Sequence, residues 1–134
     1  MLTGTNPTPA VTPIANIEIH EEETKNLPLT TEQIVTEYFK DDPILVKVAF
    51  CESTLTHYKE DGTVLRGKVD NRDVGVMQIN TYYHGDTADR MGLDLLTLEG
   101  NLAYAKNLYD RQGLQPWSAS SKCWSKHMHL ASNS

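Results

Sequence analysis

Glu52 is the residue of this chain most suited to chemistry, because helical spacing sets its carboxyl among apolar neighbours. It stands i+7 from Leu45, i+4 from Val48 and i+3 from Ala49, so a helix through this stretch carries it on the face that should meet the core. An ionised carboxylate is costly there, and the usual response is a raised pKa, which suits a group that must donate a proton near neutral pH. The plainer alternative is that Glu52, close to the end of its helix, reaches solvent or pairs with a Lys. Cys51 adjoins it, and the second cysteine, Cys123, lies far down the chain. Two cysteines so placed are too few for a zinc or iron-sulfur ligand set, and are either one disulfide or two buried thiols. His20, His57, His127 and His129 have no metal-ligand partners at useful spacing apart from the last two, which fall in an expected frayed tail. No metal and no other cofactor is expected.

The elements that must position Glu52 are mostly helical. Thr30 or Thr31 can cap a segment in which Ile34, Val35, Tyr38 and Phe39 recur at helical spacing, and Asp41-Asp42-Pro43 closes it and opens the next. Pro43 suits a first helical turn, where its missing N–H would have had no partner. The second helix is predicted from Pro43 to Thr54, with Leu45, Val48, Ala49 and Leu55 as its buried stripe. From His57 to Val74 the chain reads as extended and turn-rich: Asp61-Gly62 between Tyr58 and Val64-Leu65 is a hairpin signal, and Asp70-Asn71-Arg72-Asp73 has a loop's composition. A short helix is predicted from Thr87 to Met91, stopped by Gly92. A longer one runs from Thr97 to Gln112, with Leu98, Leu102, Ala105, Leu108 and Tyr109 inward and Gly113 at its end. Both tryptophans and Cys123 follow Gly113, so that segment should fold back onto the domain. The plan is α+β, mainly α, with a small β-hairpin lobe.

Composition narrows the class. At 134 residues and 39% hydrophobic content the chain supports one modest core. Its formal charge of −6 and pI near 5.2 argue against a phosphate-backbone binder, so no nucleic acid is expected. The longest apolar-rich run, Pro43 to Phe50, contains Lys47 and falls far short of the ~20 residues a membrane span needs. Residues 1–29, with Pro7, Pro9, Pro13 and the acidic Glu18 and Glu21-Glu22-Glu23, read as a flexible Thr/Pro/Glu-rich linker or tail. The folded domain is expected over 30–126 and a frayed tail over 127–134, with no internal repeat. Neither a basic n-region nor an apolar h-region follows Met1, so export information is expected to have been trimmed or to lie in a longer parent chain.

Three motifs, in order and in matching contexts, carry a family resemblance: Glu52-Ser53 at a helix end, Gly75-Val76-Met77-Gln78-Ile79-Asn80 in a loop, and Asn101-Leu102-Ala103-Tyr104-Ala105 leading to Leu108-Tyr109 in a helix. Together they resemble the lysozyme-like lytic transglycosylases of the soluble (SLT) type, over about residues 30 to 124. The resemblance implies a lysozyme-like fold. It makes Glu52 the general acid, later base, at the glycosidic oxygen, and Met77 and Gln78 cleft residues beside the scissile bond. Ser53 either orients Glu52 or the substrate N-acetyl group, or is an ordinary polar helix end. The Asn101 to Tyr109 helix reads as core packing.

The chain departs from that family twice. Where the family carries a Tyr-Asn pair whose hydroxyl contacts the catalytic Glu, this chain reads Pro116-Trp117-Ser118-Ala119-Ser120. Trp117 there either offers an apolar face to a sugar ring or, like Trp124, fills the core. Asp73 also stands two residues before Gly75, the spacing at which C-type lysozymes carry an Asp before a similar loop. That makes Asp73 a second catalytic carboxylate for hydrolysis, or a loop Asp capping a turn. Tyr82, Tyr83 and His84 follow Asn80 where C-type lysozymes place cleft tryptophans, so Asn80 and above all Tyr83 are expected to meet sugar.

The resemblance implies an enzyme that cleaves the β-1,4 bond between N-acetylmuramic acid and N-acetylglucosamine in peptidoglycan, outside the cytoplasm. Glu52 alone would give a 1,6-anhydro product; with Asp73 assisting, water would give a reducing end. An extracytoplasmic substrate in turn implies a Cys51–Cys123 disulfide that pins the C-terminal segment to the helix of Glu52. The expected state is a monomer, which the leader can tether to a larger chain. A non-catalytic glycan-binding or cell-wall interaction module on the same fold is the alternative from another class.

Overall fold

The computed structural model describes residues 27–126. Most of the expected 1–29 linker and all of the expected 127–134 tail, with His20, His127 and His129, lie outside them. Within them the chain is mainly helical with one small antiparallel sheet. Its order is α1 (Thr31–Tyr38), α2 (Ile44–Ser53), β1 (Asp73–Val74), β2 (Ile79–Asn80), α3 (Thr81–Arg90), α4 (Leu98–Gln112) and a 3-10 segment (Gln115–Ser120), with helical residues again at 121–126.

Local chemistry accounts for most boundaries. Thr30 begins α1 with a reciprocal capping box: the Gln33 N–H donates to Thr30 Oγ1 at 3.1 Å and the Thr30 N–H to Gln33 Oε1 at 2.8 Å. Pro43 sits one place outside the predicted position, as the N-cap of α2. Leu45, Val48 and Ala49 of α2 are fully buried, packed in one core with Val35 and Phe39 of α1, and Leu102 and Leu108 of α4. Thr97 caps α4 by accepting the Gly100 N–H at 3.0 Å. Gly100 has to be glycine, since a Cβ there would run into the Asp94 carbonyl.

Two expectations are corrected. The Asp61-Gly62 turn forms, with Gly62 at φ 86° and a Lys59 N–H to Thr63 carbonyl bond of 2.8 Å, but only the single Tyr58–Val64 bridge flanks it. The paired strands come later, with Asp73 opposite Asn80 and Val74 opposite Ile79. Burial decides between the two sites: residues 58–63 are exposed, whereas Val74, Val76, Met77 and Ile79 are core. The helix predicted at Thr87–Met91 in fact begins at Thr81. Its only buried side chain is Ala88, so no apolar stripe announces it, and Asn80 starts it by accepting the Tyr82 and Tyr83 N–H groups at 3.0 and 3.2 Å.

Cys51 and Cys123 are disulfide-bonded, closing a separation of 72 residues at a Cα–Cα distance of 5.9 Å. The bond ties the segment after α4 to the last turn of α2.

Candidate active site

The end of α2 delivers Glu52 to a cleft of about 300 Å³, at the small end of the ~300–1,000 Å³ usual for ligand sites. Asp73, Gln78, Asn80, Tyr83, His84 and Trp117 also line it. The Glu52 carboxyl is half-buried, and Ser120 donates its hydroxyl to Oε2 at 2.6 Å. Burial pushes the Glu52 pKa up; the Ser120 hydrogen bond pulls it back, the Asp73 charge pushes it further up, and the net effect is a raised value. The cleft therefore holds a carboxyl biased toward keeping its proton.

Asn80, also in the lining, organises the residues around it. While its Oδ1 caps α3, its Nδ2 donates to Asp73 Oδ1 at 2.9 Å and to Asp70 Oδ2 at 3.1 Å. Asp70 in turn holds Arg72 through two bonds of 2.9 and 3.0 Å, and that cation lowers the Asp70 pKa to about 2. The Arg72 guanidinium lies 5.0 Å from the centre of the Tyr82 ring, and Tyr82 meets Tyr83 edge to face at 5.1 Å. Tyr83, 70% exposed, thus stands at the rim with its ring available.

The loop between the strands is held by buried side chains. Its backbone groups lie away from water and need partners. His57 Nδ1 accepts the Val76 N–H at 3.0 Å, so its other nitrogen carries the proton, which goes to the Leu96 carbonyl at 2.9 Å. Ser53 Oγ bonds the Val76 carbonyl at 2.8 Å, and Trp117 Nε1 donates to the Met77 carbonyl at 2.9 Å. Asn101 accepts the Met77 N–H at 2.9 Å and donates to the Val74 and Leu95 carbonyls at 3.0 and 2.9 Å. Gly75, at φ 79°, has to be glycine: a Cβ would lie 2.5 Å from Asn101 Nδ2 and 2.6 Å from His57 Cε1. Gln78 leaves the loop at φ 51°, its Nε2 donating to the Gly75 carbonyl at 2.9 Å.

Glu52, Asp73, Gln78, Asn80, Tyr83 and Trp117 thus share one cleft, but Met77, expected to touch sugar, and Ser53 and Trp117, for which sugar contact is one of two readings, do not offer a contact. Ser53 is buried and bonds only backbone, sharing its hydroxyl hydrogen between the Ala49 and Val76 carbonyls and accepting the Thr56 N–H. Met77 is 0% exposed and belongs to the core. Trp117 walls the cleft but is 3% exposed and has spent its N–H on Met77, so it has no free face for a sugar ring. Sequence reading missed one contact to Glu52 and gave one lining residue no role of its own. Ser120 lies 68 positions from Glu52 in sequence, and the signal for it was the pairing of Cys51, beside Glu52, with Cys123, three residues after Ser120. His84 bonds the buried Tyr104 hydroxyl through Nδ1 at 2.8 Å, and burial, then the Arg111 charge, lower its pKa.

Among the described residues no cluster of three or more His, Cys, Asp or Glu could hold a metal ion, and no helix is long and apolar enough to cross a membrane. Comparison with protein-family models, curated proteins and solved structures returned no match.

Proposed function

We propose that this chain is a lysozyme-like glycosidase of the SLT lytic transglycosylase type, cleaving the β-1,4 bond between N-acetylmuramic acid and N-acetylglucosamine in peptidoglycan. The observation that carries this reading is the half-buried Glu52 carboxyl, held toward its protonated form in a cleft with an aromatic rim. Glu52 gives its proton to the glycosidic oxygen as the bond from that oxygen to the muramyl C1 breaks. The resulting carboxylate then takes the proton of the muramyl C6 hydroxyl, whose oxygen bonds C1 to close a 1,6-anhydro ring. No water is consumed. The mainly helical plan with one small sheet supports the lysozyme-like fold, and the disulfide supports work in an oxidising, extracytoplasmic compartment.

Asp73 favours a second reading, lysozyme-type hydrolysis. It lines the same cleft, its charge acts on Glu52, and Asn80 fixes one of its oxygens at 2.9 Å. A second carboxylate so placed would stabilise positive charge at C1 while water attacks. The transglycosylase is preferred because Glu52-Ser53 and Met77-Gln78-Ile79 match that family more closely. Mass spectrometry of muropeptides released from purified peptidoglycan decides: anhydro products are lighter by one water than the reducing ends of a hydrolase. Glu52→Gln should lower the rate of turbidity clearing by about 10²–10⁴-fold, the usual worth of a general acid. Clearing that survives the substitution would sink the assignment, and binding without clearing by the wild type would make the chain a glycan-binding module.

A further inference from the structure

We propose that Ser120, by donating its hydroxyl hydrogen to Oε2 of Glu52, confines the acid proton to Oε1 and so aims it at the glycosidic oxygen. The inference rests on the glycosidase reading and assigns a positioning residue to its acid. A carboxylic acid has one proton and two oxygens, and only the oxygen facing substrate is productive. The Ser120 contact of 2.6 Å has the length of a strong O–H···O bond to a carboxyl. An oxygen that accepts such a bond is a poor home for the proton, which is left to Oε1. Oε1 has no hydrogen-bond partner among the described residues, and Glu52 lines the cleft.

The competing acceptor for the Ser120 hydroxyl is the Trp117 carbonyl, at 3.1 Å. It is further away and already receives Trp124 Nε1 at 3.0 Å, so the hydrogen goes to Glu52. The covalent frame maintains this arrangement. Cys123 follows Ser120 by three residues and is bonded to Cys51, the neighbour of Glu52. Trp117 adds a second tie through Met77. Three titratable groups share the cleft with the Glu52 carboxyl: Asp73 from β1, and Tyr83 and His84 from α3. The lining residues from α4 and the 3-10 segment do not ionise.

The full chain is tested as wild type, Ser120→Ala and Ser120→Thr, by two readouts. One is the pH profile of kcat/KM on peptidoglycan. The other is the carbon-13 titration of the Glu52 carboxyl, identified by its loss in Glu52→Gln. Removing a donor to the carboxylate should move both the alkaline limb of the profile and the carboxyl titration to higher pH in Ser120→Ala. It should also lower kcat by roughly 10-fold, the scale of one hydrogen bond to a charged group. Ser120→Thr keeps the hydroxyl and should return all three toward wild type. A lower kcat in Ser120→Ala with the limb and the titration unmoved would overturn the proposal and leave Ser120 a packing residue. If the wild type cleaves no peptidoglycan, the glycosidase reading fails, and the titration alone decides whether Ser120 holds Glu52: an upward shift supports it and no shift overturns it.

Discussion

Two sets of polar side chains surround the loop between β1 and β2, and they differ in how much bonding capacity they have left. Ser53, His57 and Asn101 spend every O–H and N–H hydrogen they own on backbone groups, and His57 and Asn101 are fully buried. Glu52 and Tyr83 keep an oxygen or a ring face unspent and stand at the cleft. A satisfied polar group fixes shape, because any rearrangement strands a buried donor or acceptor. A group with capacity to spare can bind or transfer a proton. The chain thus sets a rigid clamp beside a reactive edge, and substitutions on the two sides should fail in different ways.

The largest loss is expected on the clamp side. Asn101→Ala strands the Met77 N–H and the Val74 and Leu95 carbonyls, and at about 1–3 kcal/mol for each buried unpaired group the domain should lose roughly 3–9 kcal/mol. Urea denaturation measures it, and a loss under about 1 kcal/mol would mean that the clamp holds nothing. The disulfide comes next, as the covalent link between Glu52's helix and the Ser120 segment. The Cys51→Ala, Cys123→Ala double variant should lose about 2–4 kcal/mol in the same assay, for a closed loop of this length.

Titration sharpens the contrast, because one histidine of the clamp and one carboxyl of the cleft are both held toward neutrality, with opposite consequences. Burial lowers the His57 pKa below 6.5, outweighing the Leu96 carbonyl and the Glu99 charge. The stability this neutral imidazole confers is complete above pH 6.5 and is lost as pH falls through the lower folded-state value. Glu52 is raised above 4.5, so whatever stability its neutral form confers is present below pH 4.5 and lost as pH rises through the folded-state value. Glu52→Gln removes that second dependence. Measured by urea unfolding across pH 4 to 8, the variant should match wild type at the acid end and become the more stable of the two as pH rises. A constant difference would mean that Glu52 titrates alike in the folded and unfolded chains.

How much of this was legible in the sequence follows the same division. Helices α1, α2 and α4 were readable from caps and apolar spacing, and Glu52 from its place on an apolar face. Helix α3 buries only Ala88, so its pattern carried no period, and two-residue strands are decided by what the core buries rather than by local propensity. Glu52, Asp73, Gln78, Asn80 and Tyr83 were named from sequence and line one cleft. Position along a motif does not give side-chain direction, however, and that is why Met77 was expected to touch sugar and why Ser53 and Trp117 stood between sugar contact and a structural role. Ser120 reaches Glu52 only through the tertiary fold, and no local pattern encodes that contact.

The backbone repeats the contrast on a smaller scale. The clamp meets its need for a positive φ with Gly75, which adopts it without strain. The helix that carries Glu52 ends instead on Thr54 and Leu55, at φ 54° and 58°, and the cleft residue Gln78 sits at 51°. A β-branched residue is poorly suited to the left-handed region, where side chains cost roughly 1–2 kcal/mol. Thr54 is exposed, and its side chain makes no hydrogen bond among the described residues, so nothing local offsets that cost. Thr54→Gly should keep the bonds that close the helix, from the Thr54 N–H to the Phe50 carbonyl at 2.8 Å and from the Leu55 N–H to the Ala49 carbonyl at 3.4 Å. Strain relief less the added freedom of glycine in the unfolded chain leaves a gain of about 0.5–1 kcal/mol, readable as a higher urea midpoint. A lower midpoint would show that the threonine side chain supports the helix end. A higher one would place relievable strain at the end of the helix that carries Glu52, two residues beyond it.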